Sequence, residues 1–193
     1  MGAGACFDGS KNNYINLNSS VPALAFNDTD SFSVEARFRP DTGFTTDQGT
    51  LFSLESPVVN FVPGIRLFLS GGGYLTAYLN DDVNNSLSVG SLGKLSTGAF
   101  YHTLFVYDGA DLRMPLYLNG IQQHVGAGSY SFSRNEFGRA AIGAFASGSS
   151  PFQGLIDEVV IYNTPLSSTV VKNNYCAVEA LAGTNPLPDL CLQ

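Results

Sequence analysis

Phe152-Gln-Gly-Leu-Ile-Asp-Glu-Val-Val-Ile-Tyr-Asn163, followed at once by Thr-Pro-Leu-Ser-Ser168, is the stretch on which the fold turns. Period-two alternation over Leu155–Asn163 predicts a β-strand. On a regular pleat Leu155, Asp157, Val159 and Ile161 share one face, while Ile156, Glu158, Val160 and Tyr162 share the other. A carboxylate set in such an apolar strand is unfavourable unless a cation or backbone donors compensate it. Asp157 and Glu158 are adjacent, so they point to opposite faces and cannot flank one scissile bond. That spacing argues against a catalytic pair.

Working outward, further strand patterns recur at short intervals. Phe32–Arg39 alternates, with Phe32, Val34, Ala36 and Phe38 inward and Ser33, Glu35, Arg37 and Arg39 outward, and Pro40 closes it. Ile65–Leu69 and Tyr74–Leu79 flank Gly71-Gly72-Gly73, the signature of a hairpin. Thr103–Tyr107 is apolar on both faces, as in a strand buried on both sides. Asp108-Gly109 and Asn119-Gly120 read as turns, with Pro115–Leu118 between them, and Ala140–Phe145 precedes the opening stretch. Many short strands with regular turns predict an all-β, two-sheet antiparallel sandwich. One helix is expected after Pro165, capped by Ser167 or Ser168, with Val170, Val171, Tyr175 and Val178 at helical spacing and Gly183 as its stop. The reading is one domain over 1–183 and an extended tail over 184–193.

Composition agrees. The 193 residues include 21 Gly, 14 Phe and 9 Tyr, with only 13% charged side chains, which suits a turn-rich β protein. Nine basic residues against sixteen acidic ones, a net charge of −7, exclude a phosphate-tracking surface and hence nucleic acid as a partner. No apolar run is long enough to insert in a membrane. Met1–Cys6 lacks the basic and apolar regions of a leader, so the expectation is a chain made without its own secretion signal. Three cysteines leave at least one unpaired. Cys176–Cys191, Cys6–Cys176 and three buried thiols all remain open.

Six phrases then fall in the order of a known family. Cys6–Ser10 through Tyr14-Ile15 resembles the opening strand of laminin-G-like, concanavalin-type jelly-roll domains. Phe32–Pro40, Phe100–Gly109, Leu116–Gly120, Ala141–Gly143 and Gly154–Leu166 resemble its later strands. Phe38 and Phe100 stand where the family often has Trp, and Asn119 where it has Asp.

The resemblance implies a jelly roll used for binding, and a structural calcium ion shared by the opening and closing strands. Its ligands would be Asp157 and Asp8, with Ser10 or Asn12. Asp8-Gly-Ser-Lys-Asn-Asn13 offers the carboxylate and turn oxygens calcium needs. The plain alternative is that Asp8 caps a turn and Asp157 accepts backbone N–H bonds. His102 matches a family position that packs within the sheet, and no G-x-S-x-G elbow occurs. The chain is therefore expected not to be an enzyme.

Candidate specificity loops are Asp41–Thr50, Asp81–Ser86 and Ala146–Pro151, with Phe44, Tyr74, Tyr130 and Phe152 as rim aromatics. Asn18, Asn27 and Asn84 head formal glycosylation sequons. The absence of Trp removes the best platform for a sugar ring. On that balance the expectation is a surface-displayed structural or adhesion domain, on a virion surface or outside the cell. It would assemble with protein partners, as a decoration or fibre protein does, and have a capacity for glycans or cell surfaces. The alternative is a calcium-stabilised carbohydrate-binding module of an extracellular protein.

Overall fold

Phe32, Val34, Ala36 and Phe38 are fully buried, as alternation in that segment requires. The computed structural model describes residues 4–17, 24, 26, 29–44, 48–55, 64–80, 86–128, 138–183 and 187–192. Tyr130, the sequon residues Asn18, Asn27 and Asn84, and the Asp81–Asn85 part of one candidate loop lie outside these. Among the described residues, twelve strands build two antiparallel sheets of six. In chain order they are β1 Ala5–Asp8, β2 Ile15–Asn16, β3 Phe32–Pro40, β4 Gln48–Glu55, β5 Gly64–Ser70 and β6 Leu75–Asn80. There follow β7 Ser86–Gly90, β8 Tyr101–Tyr107, β9 Arg113–Leu118, β10 Ile121–Ala127, β11 Arg139–Ile142 and β12 Gln153–Tyr162. Sheet A has the order β1-β12-β3-β8-β9-β10, and sheet B the order β2-β11-β4-β5-β6-β7. The sandwich expected from the sequence is the fold observed.

The core lies between the sheets and is built on phenylalanine. Phe32 stacks on Phe26 at 4.4 Å between ring centroids and meets Phe105 edge-on at 5.9 Å. Phe152, read above as a rim aromatic, is fully buried against Phe38 and Phe44. Each such ring contributes about 2–3 kcal/mol on leaving water. The β9–β10 hairpin turns on Asn119 and Gly120, at φ 50° and 73°, the paired positive angles of a two-residue turn.

The opening stretch departs from its simple reading. Asp157 pairs with Arg37 but Val160 pairs with Glu35, so β12 carries one extra residue, a β-bulge. Glu158 takes it up at φ 52°. The bulge reverses the facing of everything beyond it. Ile156 is in the core, and Val159 and Ile161 pack against it after the bulge. Asp157 therefore lies on the outer face with Leu155, Val160 and Tyr162 rather than with Val159 and Ile161.

Helix α1, Ser168–Leu181, lies over the outer face of sheet A. Ser167 caps it, its hydroxyl accepting the Val170 N–H at 3.4 Å, and Gly183 follows the end at φ 75°. Its buried Val171 joins Leu104, Val106 and Tyr117 of the sheet in a second, small apolar cluster. This cover explains why Ser33, Glu35 and Arg37, read as outward, are outward and yet buried. The tail is not wholly extended. Asp189–Leu192 forms a 3-10 turn, and Cys191 is bonded to Cys176 of α1, with Cα atoms 5.4 Å apart. Leu190 and Tyr175 crowd Gly120, where an added Cβ would come within 2.9 Å of the tyrosine ring. Cys6 is free and exposed on the edge strand β1. No helix among the described residues is long and apolar enough to cross a membrane.

Candidate functional site

Of the residues expected to hold calcium, Asp8 ends β1 and bonds to Ser10 in the turn that follows, Asn12 lies two residues further on, and Asp157 does not join them. Asp8 sits opposite Gln153 in the β1–β12 ladder, four residues before Asp157 along β12, a separation of roughly 13 Å at about 3.3 Å per residue. Calcium ligands lie about 2.3–2.6 Å from the ion, so no single ion reaches both carboxylates. Each is already engaged. Asp8 Oδ1 accepts the Ser10 N–H at 2.8 Å, and that backbone hydrogen bond holds its carboxyl below the ordinary aspartate value. Asp157 Oδ1 accepts the Glu158 N–H at 3.0 Å inside the bulge. Among the described residues no three His, Cys, Asp or Glu side chains cluster. The donor set does not fit a shared calcium ion.

Two polar clusters stand out instead, one on each outer face. On sheet A, Glu35 Oε1 meets His102 Nε2 at 2.5 Å, while Glu35 Oε2 accepts the Tyr162 hydroxyl at 2.6 Å and the Asn174 amide at 3.0 Å. Burial alone pushes the Glu35 carboxyl up, but these bonds and the His102 charge outweigh it, leaving it below the ordinary glutamate value. Burial, with Glu35 adding to it, pushes the Tyr162 hydroxyl up to about 12. A carboxylate, an imidazole and a phenol in contact are a catalytic inventory in kind. Here Glu35 is 4% exposed and His102 1%, sealed beneath α1, so substrate has no approach. The cluster is a fastener for the helix.

Sheet B carries the other cluster, and no helix among the described residues covers it. Core residues Leu54, Ile65, Leu67, Leu75, Ala77 and Leu79 alternate with an outer set of different character. Register aligns Ser53, Arg66 and Tyr78 in one row across β4, β5 and β6. Thr50, Phe68 and Thr76 form a parallel row on one side of it. Arg139, Glu55, Gly64 and Asn80 form the row on the other side. Gly64 is obligatory there, because a Cβ would lie 2.4 Å from the Leu54 carbonyl oxygen, and it leaves the surface low between Glu55 and Asn80.

The centre of this face is pre-set. The Arg66 guanidinium lies 4.0 Å from the Phe68 ring centroid and 4.2 Å from that of Phe145, between two aromatic planes. Its Nε and Nη2 donate to Thr50 Oγ1 at 3.1 and 2.9 Å. Burial pushes Arg66 down to about 10, opposed by the Glu55 charge, so it stays cationic at neutral pH. Glu55 Oε1 accepts the Ser53 hydroxyl at 2.9 Å and the Ala146 N–H at 2.7 Å, which aims the carboxylate. Arg139 faces Glu55 across the β11–β4 ladder, half-buried, and its buried Nε donates to no partner among the described residues. Thr76, Tyr78 and Asn80 are half-buried beside them.

Of the three specificity loops, Ala146–Pro151 borders this face through Ala146, and Asp41–Thr50 reaches it at Thr50. Arg66, Glu55, Arg139 and Phe145 escape a linear reading. Their signal is weak: Ser53-x-Glu55 and Arg66-x-Phe68 each put two polar or aromatic groups at alternate positions of an otherwise apolar strand.

A family model described as the concanavalin A-like lectin/glucanases superfamily matches residues 8–172. No curated protein sequence matches the chain. Among solved structures, the chain is similar to the CBM40 of the Ruminococcus gnavus IT-sialidase, solved bound to α2,3-sialyllactose. The two share 13% identity at a TM-score of 0.74, covering 88% of this chain and 95% of that one. The Streptococcus pneumoniae NanB sialidase is similar at 21% identity and a TM-score of 0.69, covering 88% of this chain and 27% of that one. The binding domain of botulinum neurotoxin serotype G is similar at 14% identity and a TM-score of 0.69, covering 90% and 42%. At these identities the likeness is one of fold. With the family model spanning most of its length, the chain belongs to the concanavalin A-like lectin/glucanases superfamily.

Proposed function

We propose that this chain is a non-catalytic carbohydrate-binding domain whose ligand is a carboxylate-bearing sugar of the sialic acid type, held on the outer face of sheet B. The observation that carries the reading is the pair Arg66 and Arg139 flanking Glu55 on a face with aromatic side chains and, among the described residues, no covering helix. Guanidinium groups bind carboxylates through charge-assisted hydrogen bonds worth about 1.5–3 kcal/mol each. Arg139 offers the accessible guanidinium, the buried Arg66 and Glu55 set the charge beneath it, and the half-exposed Thr76 and Asn80 offer groups for sugar hydroxyls. Tyr78 supplies an apolar edge. A cation-based site of this kind needs no indole, which is why the lack of Trp weighs less than the sequence suggests. The net charge of −7 opposes an acidic ligand only at long range, because screening at physiological salt acts over about 8 Å. The R. gnavus CBM40 structures with α2,3- and α2,6-sialyllactose support the choice of ligand. Glycan binding thus takes precedence over the assembly role expected from the sequence.

Calorimetric titration with 3′-sialyllactose and with lactose tests the proposal. Sialyllactose binds and lactose does not, and Arg139→Ala weakens binding about tenfold to a hundredfold. Equal affinity for both sugars, or no binding of either, refutes it.

A further inference from the structure

The opposite side of the molecule holds a cavity of about 290 Å³ between the first turn of α1 and the outer surface of β8, β9 and β10. We infer that this cavity is a second carbohydrate site, specific for a neutral sugar residue, so that the domain carries two sites on opposite faces.

Its size is at the lower end of small-ligand clefts, about 300–1,000 Å³, which suits a single ring. The floor is apolar and part of the packed structure: Val106 and Leu166 belong to the small cluster under α1, and Pro115 and Pro165 extend it. The wall is polar and mixed. Asp111, Arg113 and Gln122 bring acceptors and donors together, and the buried Tyr117 ring lies among them. The Tyr117 hydroxyl donates to Gln122 Oε1 at 3.4 Å, which leaves the amide N–H groups of Gln122 as donors. A sugar presents hydroxyls that both donate and accept around a ring with an apolar side, and this wall and floor match that pattern.

Charge selects the class. Asp108 and Asp111 against Arg113 give the cavity a formal charge of −1, so it disfavours the carboxylate that the Arg66–Arg139 face attracts. Asp108 is committed to the turn itself, its Oδ1 accepting the Ala110 and Asp111 N–H groups at 3.1 and 3.3 Å. That turn holds Leu112 at φ 52°, a conformation leucine keeps only where its surroundings impose it, and so sets Asp111 and Arg113 at the cavity mouth.

Amide chemical shifts of the 15N-labelled protein test the site. The probes are methyl β-D-galactopyranoside, methyl α-D-mannopyranoside and N-acetyl-D-glucosamine, each at millimolar concentration, with free N-acetylneuraminic acid as the charged control. At least one neutral sugar shifts the Tyr117, Gln122 and Leu166 amides and leaves those of Glu55, Tyr78 and Arg139 in place. The exposed Gln122→Ala variant weakens that response about tenfold, and Arg139→Ala leaves it unchanged. The inference is overturned if none of the three neutral sugars moves the cavity amides, or if N-acetylneuraminic acid does so instead. Failure of the charged sugar to shift the sheet B amides refutes the sialic-acid reading alone.

Discussion

The two outer faces of this sandwich start from the same rule and end in opposite uses. Each presents polar side chains at every second position of its strands. On sheet A, α1 and the disulfide-tied tail cover the middle strands, and Glu35, His102 and Tyr162 are consumed by one another and by Asn174. On sheet B no helix among the described residues arrives: Glu55 and Arg66 are themselves buried, but Arg139, Thr76, Tyr78 and Asn80 around them stay half-exposed. The exposure of the surrounding side chains, not that of the central charges, separates a fastener from a proposed binding surface when the residue chemistry is nearly the same.

The sharpest way to break that contrast is at Glu35. Glu35→Ala leaves His102 and Tyr162 buried without their acceptor and lowers the unfolding free energy by about 3–5 kcal/mol in urea titration. Sialyllactose affinity of the folded protein stays the same. Reducing Cys176–Cys191, which encloses a separation of 15 residues, lowers stability by about 3 kcal/mol, read by thermal unfolding with and without reductant. Arg139→Ala gives the inverse pattern: a change in unfolding free energy within about 0.5 kcal/mol, and the loss of sugar affinity stated above.

Two smaller effects follow from protons. The Glu35 carboxyl titrates below its unfolded value of 4.5. Its stabilising share is therefore present above about pH 4.5 and is lost as the pH falls through the folded value. Glu35→Gln flattens that acid limb. Tyr162 moves the other way, from 10.0 unfolded to about 12 folded. Its share is complete below pH 10, is lost as the pH rises through 12, and is absent from Tyr162→Phe. Denaturant midpoints across pH check both. No matching change in sugar binding is expected from either variant at neutral pH.

What was legible in the sequence was local. The Phe32–Arg39 alternation, the Asn119-Gly120 turn and the Ser167-capped helix each involve neighbours within a few positions, so their pattern is written in the string. The β12 bulge was not, because Glu158 takes a positive φ usually signalled by Gly or Asn, and nothing in its side chain marks it. That single residue also spoiled the facing assigned to Asp157. The meeting of Asp8 and Asp157 was illegible for a related reason: proximity of two strands does not give their register, and register keeps the two carboxylates apart. Arg66, Glu55 and Arg139 come from three strands, and nothing short of the sheet order brings them together.

The bulge has a consequence for how this chain can vary. Beyond Glu158 the core side of β12 is set by a count of residues, not by their identity. Tyr162 reaches Glu35, and Ile161 reaches the core, only because the bulge absorbs the surplus residue. Laid on a regular pleat, the same residues would turn Ile161 to solvent and swing Tyr162 inward, away from its carboxylate, whereas deleting Glu158 would straighten the ladder and keep both facings. Exposed positions such as Glu158 and Val160 tolerate many replacements in place. The strand thus admits changes of spelling, and a change of length only at the letter the bulge sets aside.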